Sequence, residues 1–168
     1  MPVNATNDVK ALEASGGGEE YLIFALGNLE YGIEILKVQE IRGYDAQAVT
    51  PIPNARSFVK GVTNLRGVIL PVVDMRERLG LTTIEYTART AVIVLALASR
   101  LVGMVVDGVS DVQVLQPAQV SDAPQFASKL ITDHLSAIGT VDDRMLLLLD
   151  IERLMESEEM DLVERPGH

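Results

Sequence analysis

The sequence contains no cysteine, no tryptophan and only two histidines in 168 residues. Without cysteine there are no disulfides, no thiolate zinc sites and no cysteine nucleophile. The histidines are His134 and the last residue, His168, too few for a His-rich metal centre. Aromatic residues make up 4% of the chain, which argues against platforms for stacking nucleic-acid bases. Positive charge is also scarce: 14 Lys and Arg face 24 Asp and Glu, for a net charge of −10. A net anion repels phosphate backbones, so general nucleic-acid binding is disfavoured. The longest apolar run, residues 91–98, is far short of the roughly 20 residues that cross a bilayer. The first residues have neither a basic stretch nor an apolar one, so nothing signals secretion, and a soluble cytoplasmic protein is expected.

What is present is globular in composition, 48% hydrophobic and 23% charged. A chain of this size buries roughly 70% of its unfolded surface and needs no covalent staple. Residues 1–18 are polar and end in three glycines, which reads as a flexible arm. Residues 150–168 hold seven acidic and two basic side chains. Between these ends the signal is mostly strand. Apolar segments 21–26 and 30–35, 57–65 and 68–73, 90–97 and 101–106, and 135–141 and 145–149 each flank a short turn carrying Gly, Asn, Asp, Ser or Arg. Helix is scarce. Asp74 can cap a turn over 75–79 with Gly80 as its stop. Asp150 can cap a longer helix with Ile151, Leu154, Met155 and Leu162 on one face. Residues 38–41 suit a single helical turn.

The chain also repeats. Shifted by 71 residues, 22–41 lies over 93–112 without a gap: Ala25 meets Ala96, Gly32 meets Gly103, Val38 meets Val109, and Glu40 meets Asp111. A second block follows in the same order, with Gly61 and Arg66 matched to Gly139 and Arg144, then Asp74 matched to Asp150. Duplication explains both blocks, although any two β-hairpins share some pattern. Each unit has about five strands, enough for a small closed barrel with few exposed edges.

Catalytic chemistry is hard to find. No glycine-rich loop follows a strand and opens a helix, so nucleotide binding lacks its usual device. Asp133 and His134 are adjacent in sequence, which rarely makes a working dyad, and a solvated loop is the simpler reading. Asp142 and Asp143 suit a hairpin turn better than a cation site, since no spaced third carboxylate accompanies them. The acidic cluster from Glu152 to Asp161 is read as a solvated helix face. Asp74, Asp107 and Asp150 could serve a small hydrolase, but capping already accounts for Asp74 and Asp150. What remains is surface. Val38, Gln39, Glu40 and Ile41, with their mates Val109, Ser110, Asp111 and Val112, mix apolar, polar and charged side chains near the expected pseudo-twofold. They line either an apolar groove able to receive a partner helix or simply the core between barrels.

Three stretches carry a family resemblance. Residues 31–44 (YGIEILKVQEIRGY), 58–74 (FVKGVTNLRGVILPVVD) and 103–112 (GMVVDGVSDV) resemble the signatures of the CheW family, the bacterial chemotaxis coupling (adaptor) proteins. The resemblance spans about residues 20–160. It implies two SH3-like five-stranded β-barrels about a pseudo-twofold, with short helices, a C-terminal helix, no catalysis and no cofactor. The boundaries expected are 1–18 for the arm, 19–86 for the first barrel, 87–150 for the second, and 151–168 for the C-terminal helix and acidic tail. The resemblance further implies a scaffold in chemoreceptor arrays. It would join the cytoplasmic tips of methyl-accepting chemoreceptors to the regulatory domain of the histidine kinase CheA, with rings of further copies possible. By motif, the receptor groove would be lined by Val38, Glu40, Ile41, Arg66, Gly67, Val109, Ser110, Asp111 and Val112.

Overall fold

A computed structural model describes residues 18–81, 84–98, 100–122 and 134–156. Residues 1–17 of the expected arm, Asp133, Leu162 and the acidic tail beyond residue 156 lie outside the described residues. The chain runs β1 (Glu19–Leu26), β2 (Leu29–Glu34), β3 (Val38–Gly43), β4 (Val59–Leu65), β5 (Val68–Asp74), α1 (Met75–Arg78), β6 (Ala91–Ala96), β7 (Leu101–Val106), β8 (Gly108–Leu115), β9 (Val120–Ser121), β10 (Leu135–Val141), β11 (Arg144–Leu149) and α2 (Ile151–Glu156). One sheet has six strands in the order β8-β1-β2-β11-β10-β9, the other five in the order β3-β6-β7-β5-β4.

The apolar runs are continuous rather than alternating because the strands are covered on both faces. In β1, Leu22 and Phe24 enter a central core shared by both sheets, while Ile23 enters a smaller core with Leu115, Leu146 and Leu148. In β6, Ile93 and Leu95 enter the same central core, while Val94 joins Leu65 and Leu70 in a third cluster. Each sheet thus has its own small core and lends its other face to the shared one.

The duplication is written in the strand register. β3 pairs with β6 through Val38↔Leu95, Glu40↔Val94 and Ile41↔Ile93. β8 pairs with β1 through Val109↔Phe24, Asp111↔Ile23 and Val112↔Leu22. Adding 71 to each partner in the first half gives its counterpart in the second, and the register shift falls at the same place in both pairs. The hairpins β4–β5 and β10–β11 agree equally well at an offset of 76, from Val59↔Val73 to Leu135↔Leu149. The exchange is reciprocal: each half of the chain completes the sheet of the other. β8 lies beside β1 and β3 beside β6, so the two sheets interleave the halves of the chain.

Three expectations need correction. First, the sequence pattern aligns Gly61 with Gly139 and Arg66 with Arg144, an offset of 78; the pairing register instead sets Gly61 against Ala137 and Arg66 against Asp142. The two glycines serve different needs. A Cβ on Gly61, at φ +143°, would stand 2.0 Å from the Thr50 carbonyl oxygen, whereas one on Gly139 would meet Leu115 Cδ1 at 2.7 Å. Second, 38–41 is strand; the helical turn is a 3₁₀ turn over Ile35–Lys37. Strand pairing with β6, distant in sequence, overrides the local apolar spacing. Third, among the described residues neither sheet closes by hydrogen bonds between its first and last strands.

The hairpins and caps follow the sequence more closely. Gly27 at φ +63° makes the β1–β2 turn. Arg66 at φ +52° and Gly67 at φ +90° make the β4–β5 turn, the mirror-image two-residue type that suits twisted strands. Asp74 caps α1 by accepting from the Arg76 N–H at 3.0 Å. Asp150 accepts from the Arg153 N–H at 3.2 Å.

Candidate functional site

Among the described residues β3 and β8 each end their sheet's strand order, so each presents a free edge there. Their side chains sort alike. Val38 and Val109 are half-buried and pack against the central core. Further along each strand, Ile41 and Val112 are 45% and 46% exposed. Val38 and Val109 are therefore at the edge of the core, and Ile41 and Val112 beyond them are exposed apolar side chains.

Glu40 lies half-buried on β3, and its Oε1 accepts from Arg66 Nη1 at 2.7 Å. Arg66 projects from the β4–β5 turn with 73% of its side chain exposed. Asn64 holds this turn by accepting the Gly67 N–H on Oδ1 at 2.8 Å. Because β3 and β4 stand at opposite ends of the five-stranded order, this contact spans the opening of a curled sheet. Two candidate residues far apart in the strand order, Glu40 and Arg66, thus meet.

The mate of Glu40, Asp111, is also held by arginine. Arg144 donates through Nη1 and Nη2 to Asp111 at 3.1 and 3.0 Å, and through Nε and Nη2 to Glu30 at 3.0 and 2.8 Å. These charge-assisted bonds hold both carboxyls below their ordinary range and push the guanidinium further up. Ser110 is exposed beside them on β8. Sequence reasoning misses Glu30 and the role of Arg144. Glu30 aligns with Leu101 in the first block, so the repeat does not mark it, and the β2–β11 pairing brings it near Arg144.

The remaining carboxylates are engaged structurally. Asp74 and Arg76 are both 0% exposed, and Arg76 reaches Asp74 through Nε and Nη2 at 3.0 and 2.9 Å. Arg76 Nη1 also donates to the Glu85 carbonyl at 2.6 Å and to Asp107 Oδ1 at 3.2 Å. Asp107 Oδ2 accepts the Gly27 N–H at 2.7 Å, tying the β1–β2 turn to this node. A carboxylate committed to a buried guanidinium is poorly placed to act as acid or base, so the hydrolase reading finds no support in these groups. Among the described residues no three His, Asp or Glu side chains are grouped to hold a metal, and no helix is long and apolar enough to cross a membrane.

Residues 20–159 match the profile of the CheW-like domain. The chain belongs to the CheW family. It is 54% identical over 156 residues to chemotaxis protein CheW of Klebsiella aerogenes, covering 93% of each chain. It is 36% identical over 156 residues to chemotaxis protein CheW of Rhizobium meliloti, covering 93% of this chain and 98% of that one. Among solved structures, scaffolding protein TtCheW from Thermoanaerobacter tengcongensis superposes with a TM-score of 0.76 at 24% identity, over 88% of this chain and 99% of that one. The fold is therefore that of a CheW scaffold. Membership makes the chain a non-enzymatic chemotaxis scaffold of the CheW type.

Proposed function

We propose that this chain couples the cytoplasmic tips of chemoreceptors to the histidine kinase CheA and lets receptors control that kinase. The observation that carries this reading is the matched pair of edge strands, each offering one exposed β-branched residue, Ile41 or Val112, beside a half-buried valine. An amphipathic receptor helix needs such a surface: apolar ground with a few charges at its margins. In this reading Val38, Glu40, Ile41, Arg66, Gly67, Val109, Ser110, Asp111 and Val112 line the receptor groove. The two curled sheets correspond to SH3-like barrels that each draw strands from both 19–86 and 87–150: β1 and β2 join β8 to β11, and β6 and β7 join β3 to β5. Their outer faces take the kinase's regulatory domain or further copies of the chain. The protein works in the cytoplasm, recruited to receptor arrays at the membrane.

Co-sedimentation tests this. Receptor-containing membranes should carry down CheA in the presence of this protein and much less without it, and attractant should then inhibit kinase activity. Kinase sedimentation and control that are unaltered by adding the protein would overturn the reading.

A further inference from the structure

The two halves of the fold are not filled alike. The small core of the six-stranded sheet contains Tyr21, Ile23 and Leu148, plugged by Leu115, which is 1% exposed. The register assigns each a mate in the five-stranded sheet: Val92, Val94, Val72 and Tyr44. The first three mates are smaller, by four carbons and an oxygen for Val92 against Tyr21 and by one methylene for each of the other two. The fourth does not plug the interior, because the Tyr44 ring stacks on Tyr86 with centroids 4.8 Å apart. Leu65, one methylene larger than its mate Val141, offsets only a small part of this deficit. Gly139 makes room for Leu115 in the first sheet, whereas its mate Thr63 is turned to the Ala48 carbonyl at 2.9 Å.

The result is a pocket of about 120 Å³ in the five-stranded sheet, open to solvent at one side, with Leu65, Leu70, Val72, Val92 and Val94 at its apolar wall and the exposed Arg42, Asp45 and Asn64 in its lining. An engineered apolar cavity of about 150 Å³ is known to hold benzene, so a pocket of this volume has room for a small organic molecule. We propose that it is a binding site for a small, uncharged, mainly apolar molecule of about phenol's size, with one hydrogen-bonding group turned towards Asn64 or Arg42. Asn64 also holds the turn that carries Arg66. An occupant therefore lies against the segment from which Arg66 reaches Glu40.

Phenol is the probe. The full chain is titrated while its backbone amide spectrum is followed. Saturable shifts are expected at Leu70, Val72, Val92 and Val94, while their mates Leu146, Leu148, Tyr21 and Ile23 stay still. The pair Val72→Leu and Val94→Ile installs the residues of the filled sheet. It should weaken phenol binding at least tenfold and raise the melting temperature. Absence of saturable shifts in the unaltered protein overturns the proposal, and so does undiminished binding in the filled variant, since the site then lies elsewhere. Should the double variant fail to fold, Val94→Ile alone gives the same reading: weaker binding supports the site, unchanged binding refutes it.

Discussion

Glu40 and Arg66 stand 26 residues apart in sequence and at opposite ends of the five-stranded order, yet their side chains meet at 2.7 Å. The pair bridges the mouth of a sheet that its backbone leaves open. Its arginine is mostly in water, so the bridge contributes only about 0–1 kcal/mol to stability. Its value lies in where it holds a cation: beside the free edge of β3.

We predict from this that Arg66→His leaves the melting temperature within a few degrees of the parent but lowers receptor control of kinase activity. Glu40→Gln should act in the same direction, because it frees the arginine from its place. Thermal melts beside a coupled kinase assay check both. Loss of fold in either variant would show that the bridge is structural.

Two glycines in the same hairpin should respond very differently to alanine. Gly67 has φ +90° but open space around its missing Cβ. Gly61 has φ +143° and the Thr50 carbonyl in the way. Positive φ alone costs an alanine roughly 1–2 kcal/mol. Gly61→Ala adds a backbone clash, which must break the Thr50↔Val62 bridge. We predict a loss of about 1 kcal/mol for Gly67→Ala and about 3 kcal/mol or more for Gly61→Ala, read from urea unfolding. Equal losses would contradict the packing at Thr50.

Much of this fold is legible because the local rules agree. The four hairpins, the two capping aspartates and the repeat at 71 residues all stand in the structure. β3 and β8 are not legible as strands. Val38 and Ile41, like Val109 and Val112, fall three apart as in a helical turn, and the strand order comes from β6 and β1, half a chain away. Arg76 shows the same limit. Its sequence neighbours suggest an exposed helical arginine, but α1 packs it inward against Asp74 and Asp107. The candidate groove residues are legible as a motif. That Glu40 and Asp111 would each find an arginine is not, because Arg66 sits in the β4–β5 turn whereas Arg144 opens β11, two positions out of register.

The Arg144 network should make stability depend on pH in a definite direction. Arginine lowers the carboxyls of Glu30 and Asp111 in the folded state, relative to ordinary values of about 4. A lowered folded pKa gives stabilisation that is complete above the unfolded pKa and is lost as pH falls through the folded one. The effect is therefore full from about pH 5 upward and fades below about pH 4. Both carboxylates are about one-third exposed, so solvent and salt weaken it. We predict that Arg144→Gln lowers the urea midpoint at pH 7, and that the gap to the parent shrinks towards pH 3. A gap constant over this range would mean that Arg144 contributes packing rather than charge.

The last prediction separates surface from core along the two free edges. Val38 and Val109 pack on the central core, while Ile41 and Val112 stand nearly half exposed. A charge placed at the valines must be partly desolvated, at a cost of a few kcal/mol. At Ile41 or Val112 the same charge stays in water, and the fold should tolerate it. A receptor helix seated along either edge would bury less apolar surface in both cases. At about 25 cal/mol per Å², the apolar area of one β-branched side chain is worth on the order of 1–2 kcal/mol, or roughly five- to thirtyfold in affinity. We predict that Ile41→Asp and Val112→Asp melt within a few degrees of the parent, still bind kinase, and lose receptor binding. Val38→Asp and Val109→Asp should also lose receptor binding but melt appreciably lower. The experiment is a melt with two pull-downs, one on a receptor fragment and one on kinase. Receptor binding that survives both Ile41→Asp and Val112→Asp would move the receptor surface away from β3 and β8. Loss of both partners together, with a lowered melt, would mean these side chains hold the fold and not the receptor.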